Sequence, residues 1–480
     1  MSGENVKDHC GVFGVYNNPD AARITYLGLF ALQHRGEEAA GICTSDGEDL
    51  HLYKNQGLVG EIFDEPTISK LPGKHAIGHV RYSTTGSSSL VNAQPCKVDY
   101  SRGQVAVAHN GNLVNAQILR AELEAYGSIF TSTIDSEIFV HLMAKPAYRS
   151  HEEGVIESVK KVEGAFSLVI LTEKQLFAVR DPHGFRPLCF GKLGNGYVIA
   201  SETCAFDLIE ADFIREIEPG EVLIIDEKGP RSFYPFSVQG GLAFNGKDKP
   251  AQKKAHCIFE HVYFARPDST IFGDNVGLVR ERLGRQLAKE HPAPADIVVP
   301  VPDSGNFAAL GFARHSGIPL AHGFTRNHYI GRTFINPTQA IRSLKVKIKL
   351  NPIREIVDGK RVVVVDDSIV RGNTAKSRVK LLRKAGAREV HMRISCPPHI
   401  SPCYYGIDFP SKAELLACNN SMEEIKKFLD VDSIGYLSLE GMLGATTQNP
   451  ADFCAACFTG AYPTPVMDDF DKLKLERKRI

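Results

Sequence analysis

The chain has 480 residues, 43% of them apolar and 23% charged, the profile of a globular protein with roughly two to four domains and a large core. Its 56 basic and 56 acidic side chains cancel, which excludes an overall field drawing it to nucleic acid or an anionic membrane and points to small molecules or other subunits as partners. No apolar run nears the ~18 residues of a membrane span, MSGENVKDH is too short and polar for a secretory signal, and eleven scattered cysteines form no dense even framework, so a cytoplasmic protein is expected.

In chain order, Cys10 opens the strand-like run CGVFGVY, and short alternating runs follow at 75–82, 105–109, 166–171 and 197–201. Apolar residues at three- and four-residue spacing predict helices over 22–34, 115–126 and 135–147. Strands faced by such helices imply a layered α/β sandwich. DPHGFRPL at 181–188 contains Pro182, Gly184 and Pro187 and reads as a non-helical loop with an architectural role. The stretch 237–254, SVQGGLAFNGKDKPAQKK, is rich in Gly, Lys and Gln and has no apolar period. It reads as a linker between a domain over 10–236 and another over 255–480.

Beyond the linker, helix alternates with strand: a helix over 276–291, a strand over 296–301, a helix over 306–316, and strands near Val362 and Glu389 with a helix between. That alternation predicts a doubly wound parallel sheet. PDSG at 302–305 directly follows a strand and suits a turn that contacts pyrophosphate. The run TRNHYIGRTFINPTQAIR at 325–342 has aromatic, Gly and Arg residues, including Arg332 and Arg342, without an apolar period. Lys345, Lys347 and Lys349 alternate with apolar residues, a pattern equally compatible with ligand contact and with solvation.

The most informative stretch is RVVVVDDSIVRGNT at 361–374. Four consecutive valines leave no polar face, so Val362 to Val365 predict a buried parallel strand. Asp366 and Asp367 fall at its end, placed to accept hydrogen bonds from ribose hydroxyls and to fix Mg²⁺ through oxygen. Ser368, Arg371, Gly372, Asn373 and Thr374 then open a helix, so that backbone N–H groups can surround a phosphate. An acid pair followed by a phosphate cradle suggests a phosphorylated sugar.

The string from Val362 closely resembles the phosphoribosyl pyrophosphate (PRPP) motif of type I phosphoribosyltransferases. In the first half, LQHRGEEAAGI (32–42), GHVRYSTTG (78–86), NAQP (92–95), AHNGNL (108–113) and TSTIDSE (131–137) follow Cys10 in order. Together they resemble the glutamine amidotransferase domain of the N-terminal-nucleophile hydrolases. CIFEHVYFARPDSTIFG (257–273) resembles the glutamine PRPP amidotransferases, and the resemblance then spans nearly the whole chain.

The resemblance implies an α+β four-layer N-terminal-nucleophile sandwich followed by an α/β type I phosphoribosyltransferase sheet. It also implies that residues 1–9 are a propeptide, removed so that the α-amino group of Cys10, with an unperturbed pKa near ~8, can serve as base for its own thiol. The oxyanion hole would be the Asn110 side chain and the Gly111 N–H; Arg81 would clamp the α-carboxylate of glutamine and Asp135 its α-ammonium. His109 reads as structural, and Arg35 and Gly36 as loop-shaping. Ser304 matches a third Mg²⁺-associated position, and 325–342 matches a lid over PRPP. The implied reaction passes ammonia internally and displaces pyrophosphate to give 5-phosphoribosylamine, the first committed step of purine synthesis. A homotetramer inhibited by purine nucleotides is implied as well. An amidotransferase half joined to a different synthase is argued against by the Val362 string, and a PRPP-sensing regulator of nucleic acid by the neutral charge.

Cys43, Cys96, Cys189, Cys204 and Cys418 read as small core or surface residues. FCAACF supplies the C-x-x-C pair Cys454 and Cys457, while Cys257 and Cys403 stand alone upstream. One pair with two isolated cysteines favours a 4Fe-4S cluster over a zinc ribbon, which uses two pairs. By spacing alone Cys396 competes with Cys403; the resemblance selects Cys403, and one subclass of the resembled enzymes carries both the cluster and a cleaved propeptide.

Overall fold

Gly11–Tyr16 is buried along its whole length because it lies in the middle of a seven-stranded antiparallel sheet. The computed structural model describes residues 10–82, 89–236, 243–244, 253–327, 350–407 and 411–465. In that first sheet Gly11–Tyr16 pairs with His75–Arg81 on one side and Gly196–Ala200 on the other. A second seven-stranded antiparallel sheet holds Gly103–Leu113 beside Gly164–Thr172, with Asn110 opposite Ser167. The inner faces meet in one apolar cluster, where Val12, Ile77 and Ile199 pack on Ala108, Val169 and Leu223. Helices Ala21–Ala31 and Cys204–Ile209 cover the outer face of the first sheet. Ala116–Ala125, Glu137–Met143 and His151–Val159 cover that of the second. The result is the four-layer sandwich expected from the motif series.

Two helices differ from their expected extents. The helix expected over 22–34 ends at Ala31, and Gln33–Arg35 forms a tighter 3₁₀ turn; this turn brings Arg35 back under Cys10. The helix expected over 135–147 is Glu137–Met143. Its front is shortened because the Asp135 carboxylate accepts the Leu113 N–H at 3.0 Å, and its end because Pro146 disfavours helix in the residue before it.

In the C-terminal half, Ile297–Pro300, Arg361–Asp366, Glu389–Ile394 and Ser433–Tyr436 form a four-stranded sheet in that order, every pair parallel. This is the doubly wound sheet expected from the alternation. Val362 to Val365 are fully buried, as an unbroken β-branched run requires. Val276–Glu290 and Asn306–Ser316 pack against each other, as do Asn373–Lys384 and Met422–Leu429. His256–Cys257 pairs in parallel with Phe453–Cys454, so a distant C-terminal segment lies beside the start of this half. Within the expected linker, Ala243–Phe244 adds an edge strand to the second sheet; the rest of 237–252, the expected propeptide 1–9, residues 328–342 of the expected lid with Arg332 and Arg342, and the separate lysines Lys345, Lys347 and Lys349 lie outside the described residues. Among the described residues no helix is long and apolar enough to cross a membrane.

Candidate active sites

Cys10 precedes the central strand of the first sheet and is 8% exposed, its Sγ 3.5 Å from the Tyr82 carbonyl oxygen. Burial pushes its thiol up; the Tyr82 backbone and the Arg81 guanidinium pull it down, and Asp135 and Glu38 push it up again. Cys10, Arg81 and Asp135 therefore share one electrostatic neighbourhood. A thiol held protonated needs a base close at hand, a role suited to a free α-amino group on the same residue.

Asp135 reaches this point by three contacts: the Leu113 N–H at 3.0 Å, His109 Nδ1 at 3.4 Å and Ser136 Oγ at 3.4 Å. Burial alone would raise its carboxyl, but His109 and the hydrogen bonds hold it below the usual carboxylate range. His109 also touches Ser136 Oγ at 3.1 Å and meets Phe139 edge-on. Asn110, next along the strand, is fully buried, and neither its amide oxygen nor its nitrogen has a hydrogen-bond partner among the described residues. A buried, unpartnered amide is costly unless it is kept for a ligand. Gly111 has φ 151°, and a Cβ there would meet the Ala165 carbonyl oxygen at 2.0 Å, so only glycine lets this N–H lie where it does.

The C-terminal half closes the same site. Asn112 donates to the Tyr404 carbonyl at 2.8 Å, and Gly406 packs against the Gly111 backbone. Arg35, read from sequence as loop-shaping, donates its Nε–H to the Cys10 carbonyl at 3.2 Å. Its partners Glu202 and Glu260 were not singled out by any sequence pattern. The only signal was indirect: Glu260 falls inside the CIFEHVYF motif.

At the second site, Asp366 ends its strand 2% exposed and Asp367 follows at 6%. Burial and the charge of Asp367, opposed by Arg378 at 2.5 Å, leave the Asp366 carboxyl pushed up to about 7. Arg378 on Asp366 and the Arg280 charge felt by Asp367 offset part of this adjacent acid pair, and oxygens of this kind suit Mg²⁺. Ser368 Oγ donates to Asp367 at 2.6 Å. Gly372 stands at φ 82°, a turn that glycine makes without strain, and Asn373 and Thr374 begin the helix Asn373–Lys384 directly after it. Arg371 is paired with Glu414 at 3.1 Å. The Val301 N–H donates to the Val365 carbonyl at 2.9 Å, so the turn bearing Ser304 leaves the sheet beside the acid pair.

The third feature is the cysteine group. Cys257 lies directly beside Cys454 in the parallel pairing. Burial pushes the Cys257 thiol up to about 11, with Arg186 pulling it down and Cys403 adding to the rise. Cys454 and Cys457 are raised further by burial and by the neighbouring cysteines. Tyr405 donates its N–H to Cys403 Sγ at 3.4 Å, and the backbones of Phe259 and Ala456 bond to Cys257 and Cys454. Cys396 points its Sγ at the Pro397 carbonyl oxygen, 3.3 Å away, feels Asp367 and Asp366, and also adds to the rise at Cys457. Among the described residues no group of three or more His, Cys, Asp or Glu side chains is arranged to hold a metal ion.

A glutamine amidotransferase domain model matches residues 79–207 and a phosphoribosyl transferase domain model matches 279–401. Amidophosphoribosyltransferase of Methanocaldococcus jannaschii is 50% identical over 97% of this chain and 99% of its own length. That of Bacillus subtilis is 45% identical over 97% and 96%. The solved glutamine PRPP amidotransferase from B. subtilis complexed with ADP and GMP superposes with a TM-score of 0.88, at 45% identity over 96% of this chain and 98% of that one. With both halves matched and the similarity running nearly end to end, the chain belongs to the amidophosphoribosyltransferase family, glutamine-dependent enzymes that transfer nitrogen to PRPP.

Proposed function

We propose that this amidophosphoribosyltransferase hydrolyses glutamine at Cys10 in a domain over 10–236, joined by 237–254 to a PRPP domain over 255–480, after loss of residues 1–9. The observation that carries the reading is the meeting of Cys10, Arg81 and Asp135 beside a strand whose Asn110 amide is buried and has no partner among the described residues. The α-amino group takes the thiol proton, Cys10 Sγ attacks the carboxamide carbon, and Asn110 with the Gly111 N–H receives the oxyanion. The proton passes to the departing ammonia, and water releases glutamate from the thioester. Arg81 and Asp135 bind the α-carboxylate and α-ammonium by opposite charge.

In the PRPP half, Asp366 and Asp367 orient the ribose, Ser368 with Arg371 to Thr374 cradle its 5-phosphate, and Ser304 joins the acid pair around Mg²⁺. The ion, when bound, neutralises the pyrophosphate as it leaves. Ammonia reaching C1 from inside the molecule gives 5-phosphoribosylamine, the first committed step of purine synthesis. Cys257, Cys403, Cys454 and Cys457 suit a 4Fe-4S cluster: three are buried and Cys454 is partly buried, three receive backbone hydrogen bonds and Arg186 stands beside Cys257 and Cys403. Such a cluster binds the C-terminal segment to the core, and reduced thiols agree with a cytoplasmic setting. Regulation by purine nucleotides and a homotetramer complete the reading, the former supported by the ADP and GMP held by the B. subtilis relative.

Purified protein given glutamine, PRPP and Mg²⁺ should release glutamate and form phosphoribosylamine, and its first residue by N-terminal sequencing should be Cys10. Full glutamine activity in protein that starts at Met1 or Ser2 would refute the processing step. Cys10→Ala should abolish glutamine use.

A further inference from the structure

Arg35 is 1% exposed, and each nitrogen of its guanidinium is engaged. Nε donates to the Cys10 carbonyl at 3.2 Å, Nη1 to Glu260 Oε2 at 3.0 Å and to Glu202, and Nη2 to Glu260 Oε1 at 2.8 Å. Glu202 is shared with His34, Ser269 and the Arg266 N–H, so its single bond leaves the guanidinium free to pivot. The two-point fork with Glu260 fixes the plane of the group, and with it the direction of Nε–H toward Cys10.

Glu260 comes from the other half of the chain. It opens the widened turn Glu260–Phe264, closed by the Ala265 N–H to the Glu260 carbonyl at 3.0 Å, an i→i+5 bond of the kind that recurs at functional sites. Arg186 Nη1 holds Glu260 Oε1 from behind at 3.1 Å, and Arg186 Nη2 is anchored on the Tyr405 carbonyl at 2.8 Å. Arg35, Arg186, Glu202 and Glu260 thus form a closed, charge-balanced group with no side chain more than 1% exposed. The anchor on Cys10 is its carbonyl, a group that propeptide removal leaves unchanged.

We propose that Glu260 is a positioning residue for the glutaminase reaction, supplied by the PRPP half and acting through Arg35 on the backbone of Cys10. The proposal rests on Cys10 being the nucleophile. Glutamine itself is held by Arg81 and Asp135, which the fork does not touch, so loss of Glu260 disturbs the attack and leaves glutamine binding in place.

Glu260→Gln keeps the shape but removes the charge. Its glutaminase kcat should fall roughly tenfold or more while KM for glutamine stays within about twofold. Ammonia-dependent synthesis and bound iron should remain at parental levels. Arg35→Lys, which keeps a charge but cannot bond Glu260 and Cys10 in one plane, should show the same split. Glutaminase kcat within about twofold of the parent in Glu260→Gln overturns the proposal. So does loss of glutamine-dependent activity, ammonia-dependent activity and iron together in both variants, since that is the signature of a purely structural group. Cys10→Ala is measured alongside: if it retains glutamine hydrolysis, the assignment of the nucleophile fails instead.

Discussion

The Leu113 N–H donates to the Asp135 carboxylate at 3.0 Å, joining the strand that carries Asn110 and Gly111 to the acid proposed for the ammonium of glutamine. The proposed substrate clamp and oxyanion donors are therefore fixed to one another in the protein without ligand. Asp135→Asn keeps an acceptor for that N–H but removes the charge. KM for glutamine should rise and kcat/KM fall by roughly 10- to 100-fold, the effect of losing a hydrogen bond to a charged group. Ammonia-dependent synthesis should continue. An unchanged KM in a glutamine titration would dissociate Asp135 from substrate binding.

Asn110→Ala should separate stability from activity. The amide is buried without partners among the described residues, so its removal relieves a desolvation cost that offsets the lost packing. Denaturant midpoints should move by no more than about 1 kcal/mol equivalent, while glutaminase kcat drops on the order of 10²- to 10³-fold, as for an oxyanion donor. A large loss of stability with modest loss of kcat would make Asn110 a framework residue.

Glu137 supports the loop before Asp135. Burial would raise its carboxyl, but His141, Ser132 and Thr131 together hold it down at about 2; Thr131 donates from N at 2.7 Å and Ser132 from N at 2.8 Å. A carboxyl with a depressed folded-state pKa stabilises the fold fully above its unfolded value of about 4.3, and that contribution is lost as pH falls toward the folded value. Glu137→Gln should therefore destabilise by about 2 kcal/mol at neutral pH. The gap from the parent should close in urea titrations between about pH 5 and pH 2. A gap independent of pH would assign the effect to shape instead of charge.

Iron and sulfide should each be found at about four per chain, with Cys403→Ser losing them and Cys396→Ser keeping them. Cys403 Sγ accepts the Tyr405 N–H and Cys403 shares the electrostatic surroundings of Cys257, Cys454 and Cys457, whereas Cys396, of these thiols, adds only to the rise at Cys457 and has its Sγ on the Pro397 carbonyl. One zinc per chain without visible absorbance would replace the cluster with a zinc site.

Gly372→Ala tests the phosphate cradle. Its φ of 82° disfavours a side chain, and a Cβ would lie 2.6 Å from Leu416 Cδ2. Stability should fall by about 1–3 kcal/mol. KM for PRPP should rise roughly tenfold as the loop reshapes, with unstimulated glutaminase unaffected. An unchanged KM would place the 5-phosphate elsewhere.

Local chemistry was legible in the sequence because it is written in consecutive residues. The valine strand, the acid pair at its end, the helix Asn306–Ser316 and the strand leading to Asn110 all follow from period and composition. Periodicity carries no information about partners that are distant in the chain, and the parts that escaped it are of that kind. Arg35 looked like a loop residue because its meaning lies in Glu260, and spacing alone left Cys396 competing with Cys403, a choice made by the resemblance and not by the pattern. The early end of the helix after Ala21 was missed because helical spacing continues through Leu32 while the backbone tightens to carry Arg35 inward.

The parallel pairing of Cys257 with Cys454 sets an order of events during synthesis. All four strands of the parallel sheet lie between these two residues in the chain. A ribosome delivers the amidotransferase sandwich and the entire sheet before Cys454 can reach its neighbour, and domains fold as they emerge. The pairing of Cys257 with Cys454 is therefore among the last contacts of this half to close, and a cluster on the proposed four cysteines would report that the sheet upstream has already been built.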